Sequence, residues 1–141
     1  MNRPLVKITA ADYHTAGEPF RIVSVGLPDI AGATVLDKRA GASSNQKLER
    51  IRKLLVNEPR GHADMYGGFI VEPNDDGADF GVLFWHGDGY STACGHGTIA
   101  LGAWAVDTGL VATASCEGQM VSGSTRQGQK HPQAAVCFFR L

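Results

Sequence analysis

Residues 95–108 read GHGTIALGAWAVDT, and their apolar side chains keep to no single helical face. Ile99, Leu101, Trp104 and Val106 spread around the helical wheel, the pattern of a helix buried on every side. Fourteen residues of helix are too short to cross a bilayer. The segment therefore has to be wrapped by the rest of its own protein. Gly97 and Gly102 each weaken a helix by about 1 kcal/mol relative to alanine, a cost that close approach of other backbone would justify. Gly109 supplies a C-terminal stop. The expected picture is a central helix wrapped by strands.

The strands are legible on either side. LVKITAADYH and FRIVSVG (residues 20–26) carry β-branched and alternating apolar residues and read as strands, separated by a turn at Gly17 and Pro19. GGFIVEP and ADFGVLFWH carry continuous apolar runs, the mark of strands covered on both faces, and NDDG turns between them. Residues 43–57 form the clearest amphipathic helix, with Leu48, Ile51, Leu54 and Leu55 on one face. Ser43 and Gln46 fit a capping box, and Pro59 ends the helix shortly before it. Glu49 and Lys53 form an i,i+4 pair. Lys47, Arg50, Arg52 and Lys53 read as its solvated face.

Bulk properties set limits on function. The chain has 141 residues, 43% hydrophobic and 19% charged, enough for one domain with one core. A formal net charge of −1 with no long basic stretch gives no electrostatic footprint for nucleic acid. No stretch reaches the length of a membrane span, and MNRPLVKITAADYH lacks the apolar region of a signal peptide. Cys94, Cys116 and Cys137 are an odd set without CxxC spacing. That argues against a disulfide framework and for a reducing compartment, with the cytoplasm as the expected location.

The chemistry concentrates in GYSTACGHGTIALG, residues 89–102. A helix beginning near Gly95 puts Cys94 at or beside its N-cap. The first amide N–H groups of a helix lack internal partners, and with the macrodipole they favour negative charge. A thiol there is expected to be more acidic than a free one and to serve as a proton acceptor. The same amides, left uncovered by Gly95 and Gly97, can hold a carboxylate. One segment would thus grip an acid and present a base to its α-carbon. Two other readings stay open at this point: a cysteine that only packs, and a nucleophile that forms a covalent adduct. A zinc site from Cys94, His96 and His86 lacks a second spaced pair. Gly95, Gly97 and Ala100 fit a dinucleotide fingerprint, yet no strand runs directly into them. Asp12, His14, Glu18 and Arg21, and likewise His62 and Asp64, read first as turns with local hydrogen bonds.

Three segments in order, DYHTAGEPFRIV, EPRGHADMYGGFIVEP and GYSTACGHGTIALG, resemble the proline racemase family, which includes hydroxyproline 2-epimerases and trans-3-hydroxy-L-proline dehydratases. The resemblance runs over roughly residues 7–117, and EPRGHADMYG with H-x-x-GYS is most similar to the dehydratase branch. It implies an α/β (α+β) fold: a curved, mostly antiparallel sheet around a central buried helix, one half of a diaminopimelate-epimerase-like two-domain protein. It implies a cofactor-independent, metal-free enzyme acting on a proline-type imino acid. Cys94 matches the family's proton acceptor, and Gly95 and His96 match positions that hold the substrate carboxylate. A dehydratase removes the α-proton and expels the 3-hydroxyl; a racemase returns a proton from a second cysteine.

The sequence departs from that pattern in places. Ala16 and Ala93 stand where the family has glycine and methionine, substitutions expected to be harmless. The second-half motif D-R-S-P-[CT]-G-[ST]-G, which separates the branches, is absent. After Glu117 there is no acidic residue, and four of the five glutamines fall there. Residues 1–117 are therefore expected to form an N-terminal half-domain and 118–141 a divergent tail that reads as loop or disorder, from a truncated or frame-shifted gene. The last stretch, AAVCFFRL, is apolar enough for a strand. An exposed half-domain face would favour a homodimer. A non-catalytic small-acid-binding fragment and a thiol-based redox module are the readings of other classes.

Overall fold

The computed structural model describes residues 5–111. Strand β1 (Thr9–Thr15) and strand β2 (Glu18–Val25) form an antiparallel hairpin closed by Ala16 and Gly17. Both turn residues have positive φ, +51° and +91°, the turn type whose twist suits a two-residue hairpin. Alanine at position 16 is therefore not neutral, because the left-handed region costs a residue with a Cβ about 1 kcal/mol. Ala16→Gly should raise stability by up to ~1 kcal/mol, read as a higher urea midpoint at unchanged slope.

Helix α1 (Val35–Ala42) follows. A capping box starts it: Thr34 Oγ1 accepts from the Asp37 amide, and the Asp37 carboxylate accepts from the Thr34 amide. Helix α2 (Gln46–Val56) is capped by Asn45, whose Oδ1 accepts from the Lys47 and Leu48 amides. The expected box at Ser43 is not formed, because Ser43 closes the end of α1. Leu48 and Leu55 are buried as the pattern requires and Ile51 is partly buried, but Leu54 is 48% exposed and Val56, outside the pattern, is buried.

The two helices carry the chain from β2 to strand β3 (Tyr66–Val71), which pairs parallel to β2. A parallel partner needs such a crossover. Strand β4 (Gly81–His86) pairs antiparallel to β3, and the short β5 (Gly89–Tyr90) antiparallel to β4. The sheet order is β1-β2-β3-β4-β5, with one parallel pairing among four, so the expected mostly antiparallel sheet is present.

Alternation along the strands builds two cores. Phe20, Ile22, Val82 and Phe84 pack with Ala100, Leu101, Trp104 and Ala105 of helix α3 (Gly95–Asp107). Val23, Phe69, Leu83 and Trp85 pack on the other side with Val35, Leu48, Leu55 and Val56. The molecule is thus a three-layer α+β arrangement, with α3 on one face of the sheet and α1 and α2 on the other.

This corrects the expectation of a helix buried all round. Ile99 is 64% exposed, and Gly95 and Ala103 are also open. Gly95 and Ala103 add little apolar area to that outer face, whereas Ile99 and, at 37%, Val106 leave apolar surface uncovered there. Nor do the glycines meet backbone: a Cβ on Gly97 would strike the Phe20 ring, and one on Gly102 would meet nothing within 4 Å. Gly109 does take the left-handed stop, at φ +69°. Among the described residues no helix is long and apolar enough to cross a membrane. The tail 118–141, the strand expected in AAVCFFRL, and Cys116 and Cys137 lie outside the described residues.

Candidate active site

Cys94 is the N-cap of α3, with extended backbone (φ −149°, ψ 106°) and no side-chain capping bond. The first helical bond runs from the Thr98 amide to the Cys94 carbonyl at 2.9 Å, so the amides of Gly95, His96 and Gly97 precede the intrahelical ladder. A Cβ added at Gly95 would find open space.

Cys94 is 7% exposed and belongs to the core beside α3, and its sulfur packs on His96. It lies 3.4 Å from Nδ1 and 3.7 Å from Nε2 of His96, against the ring between its nitrogens. The His96 Nε2 lies 3.3 Å from the Pro19 carbonyl. A carbonyl can only accept, so the neutral ring carries its proton on Nε2 and leaves Nδ1 unprotonated. The imidazole and the Pro19 carbonyl thus stand in sequence behind the sulfur. The ring is fixed by edge contacts to Phe20 and Tyr66, at centroid distances of 6.1 and 5.5 Å. Thr15 Oγ1 donates to the His96 carbonyl at 2.9 Å and ties the helix start to the β1–β2 hairpin.

His96 opens onto a cleft of about 880 Å³. The cleft draws its walls from three segments: residues 17–19 at the turn and start of β2, residues 62–66 leading into β3, and residues 86–88 at the end of β4 and the turn after it. Cys94 itself is not among the lining residues; its sulfur reaches the cleft by way of the His96 ring. The two outer loops share a device. His62 Nδ1 accepts from the Asp64 amide at 3.1 Å, and His86 Nδ1 accepts from the Asp88 amide at 3.2 Å. An accepting Nδ1 leaves the proton of a neutral ring on Nε2, so each histidine is set as an N–H donor. The H-x-D spacing in GHADM and WHGDG is the sequence signal that pairs these two loops.

Two arginines fix the loops from behind. Arg21 grips Asp12 with Nε and Nη2 at 2.7 and 2.8 Å and donates from Nη1 to the carbonyls of Leu55 and Arg60. The hydrogen bond to Asp12 raises the Arg21 pKa further above its usual value. The turn cluster at Asp12–Arg21 is therefore a support for the segment that leads to His62. On the other side, Arg52 is 3% exposed. It does not lie on the solvated face that the helical wheel assigns to it. Nor does Glu49 pair with Lys53: it takes Arg52 at 2.9 Å, and that bond holds its carboxyl below the usual carboxylate range. Burial, then the Glu49 charge, push the Tyr90 hydroxyl well above its ordinary value.

Fold and site together define a mixed α+β protein that sets a thiol and an imidazole at a helix start, behind a cleft of carboxylates and histidines. The chain belongs to the proline racemase family: the family model described as Proline racemase matches residues 10–127. The trans-3-hydroxy-L-proline dehydratase of Burkholderia ambifaria is 51% identical over 104 residues, covering 74% of this chain and 30% of that protein. The 3-hydroxyproline 2-epimerase of Burkholderia multivorans is 50% identical over the same length and shares. Among solved structures, a probable proline racemase from Agrobacterium radiobacter, with bound carbonate, superposes at a TM-score of 0.71 with 26% identity over 77% of this chain and 32% of that one. The chain thus spans about 30% of the length of the curated relatives it matches.

Proposed function

We propose that this chain carries the N-terminal part of the active site of a hydro-lyase that dehydrates trans-3-hydroxy-L-proline, with Cys94 as the catalytic base. The observation that carries the reading is the Cys94 sulfur at the start of α3, 3.4 Å from the His96 ring that lines the cleft. The amides of Gly95 and His96 hold the substrate carboxylate, where the helix dipole favours an anion. His96 Nδ1 takes the thiol proton, and the resulting thiolate removes the α-proton. The C–H electron pair becomes the Cα=Cβ bond as the C3–O bond breaks, and the leaving hydroxide is protonated to water. The enamine then shifts a proton from nitrogen to carbon to give the cyclic imine acid. No cofactor takes part in these steps.

In the same reading, residues 1–117 are one half of a two-domain site and 118–141 a divergent tail. The second half would close the cleft and complete the carboxylate and ring contacts. The protein works in the cytoplasm. Epimerisation at C2 is the second reading, favoured by the equal similarity to the Burkholderia multivorans epimerase.

Incubation with trans-3-hydroxy-L-proline, followed by proton NMR, tests this. The cyclic imine acid is expected from the gene read past codon 117 to the relatives' length, and not from the 141-residue chain alone. The C2 epimer without loss of water would move the assignment to epimerase. Neither product from either form would overturn the enzyme reading.

A further inference from the structure

Arg52 is the one buried charged side chain among the described residues, and the chemistry above gives it no part. Its Nε and Nη2 donate to the two oxygens of Glu49, each at 2.9 Å. Its Nη1 reaches the carbonyls of His86 at 2.6 Å and Gly87 at 3.1 Å, more than thirty residues away. The Tyr90 ring lies 5.9 Å from the guanidinium carbon. One planar fork therefore joins α2 to the β4–β5 turn, a geometry that a point-charged lysine cannot reproduce.

Stability alone does not account for this. Taking a charge out of water costs several kcal/mol, and apolar residues of similar volume often replace a buried ion pair with no loss. What the pair does supply is a fixed position. The two-residue turn it holds, Gly87 and Asp88, is closed from within only by the Asp88 amide on His86 Nδ1, with Gly89 beside it at φ +144°. That turn is a wall of the cleft, and it carries His86, whose ring lies 5.3 Å from Tyr66.

We propose that Arg52 is a positioning residue: it clamps the His86–Gly87 backbone from behind so that His86 is presented to the cleft as an N–H donor for an oxygen of the bound acid. The clamp stands on the hydrogen bonds themselves; only the donor role rests on the small-acid reading given above.

The test uses the 141-residue chain with Arg52→Met, Arg52→Lys, and Val35→Ala as a control that thins the α1 side of the core without touching the turn. Histidine-ring NMR reads the tautomer of His86 and the ring-current offset from Tyr66, and amide exchange reads the turn at Asp88. Arg52→Met is expected to move the His86 ring signals and to speed Asp88 exchange by at least roughly tenfold, the loss of about one well-made hydrogen bond. Arg52→Lys, which retains the charge opposite Glu49 and keeps the test alive where the methionine variant fails to fold, should shift them in the same direction by less. Val35→Ala should lower Tm and move neither. His86 signals unchanged in both arginine variants, or moved equally by Val35→Ala, would overturn the clamp. Titration with trans-3-hydroxy-L-proline decides the donor role separately: affinity should fall about tenfold in Arg52→Met and stay constant in the control. A wild-type chain whose cleft histidines ignore the ligand would count against the small-acid reading and leave the clamp to be judged on the ligand-free signals.

Discussion

Replacing Cys94 with serine is expected to remove α-proton abstraction, by a factor of about 10² to 10⁴, the usual contribution of a positioned base. The comparison is made in the protein of the relatives' length, following loss of the α-deuteron from labelled trans-3-hydroxy-L-proline. The substitution is nearly isosteric, and a hydroxyl at the same place can still donate to His96 Nδ1, so the fold should survive with a small change in Tm. A hydroxyl is far less acidic than a thiol and does not become an oxyanion beside an imidazole at neutral pH. The thiol has two sources of help: the amides at the start of α3 and the adjacent imidazole, 3.4 Å away. Both favour the thiolate and burial in the core opposes it, so the apparent pKa for alkylation of Cys94 by iodoacetamide reads the balance. His96→Ala should raise that value and slow alkylation at pH 7. Undiminished exchange in Cys94→Ser would place the base elsewhere in the protein. An ordinary thiol pKa in the wild type would remove the physical reason for choosing this residue.

The part of the site that was legible in the sequence is its local part. Polar GDGYSTAC running into a small and apolar segment marks the helix start, and the helix does begin at Gly95 with Cys94 as its cap. The alternation in FRIVSVG and the runs in GGFIVEP and ADFGVLFWH give the three central strands, because burial on two faces leaves a direct imprint on composition. Helix α1 left no such imprint: VLDKRAGA places Val35 and Ala42 in the core and little else, and its signal is the Thr34–Asp37 box. The cleft was out of reach for a different reason. Its walls come from loops brought together only by the parallel pairing of β2 with β3 and the hairpin of β4 with β5. Arg52 shows the limit most plainly. A helical wheel assigns it to water by residue type, whereas the carbonyls that bury it belong to a turn that no local pattern can bring near. Periodicity misjudged α3 as well, since an outer face of Gly95, Ile99, Ala103 and Val106 reads as apolar or small whether it is covered or open.

Gly97→Ala should destabilise the chain, although alanine is the better helix former by about 1 kcal/mol. A Cβ at this position would fall inside the contact distance of the Phe20 ring, with Cδ2 at 2.7 Å and Cζ at 2.9 Å. Phe20 cannot yield easily: it is fully buried, and its ring is held edge-on by Phe84 at 5.9 Å and His96 at 6.1 Å. Either α3 lifts from the sheet or the ring leaves its rotamer, and overpacking of this kind costs about 1–3 kcal/mol. Gly97→Val adds β-branching to the same collision and should cost more. Gly102, one and a half turns along the same helix, meets nothing within 4 Å, so Gly102→Ala should stabilise by up to ~1 kcal/mol. Opposite signs at two glycines of one helix separate packing from propensity, measured as urea midpoints. The cause can then be isolated by Phe20→Leu, which removes the ring: its own cost is a cavity, but Gly97→Ala added to it should lose most of its penalty, giving a favourable coupling in the double-mutant cycle. Equal penalties for Gly97→Ala with and without the Phe20 ring would mean that the helix seat is set by something other than this contact. Because Phe20 also steadies His96, the same cycle run on Cys94 alkylation asks whether the seat of α3 and the reactivity of its cap are one property: each variant that shifts the helix should also slow the thiol.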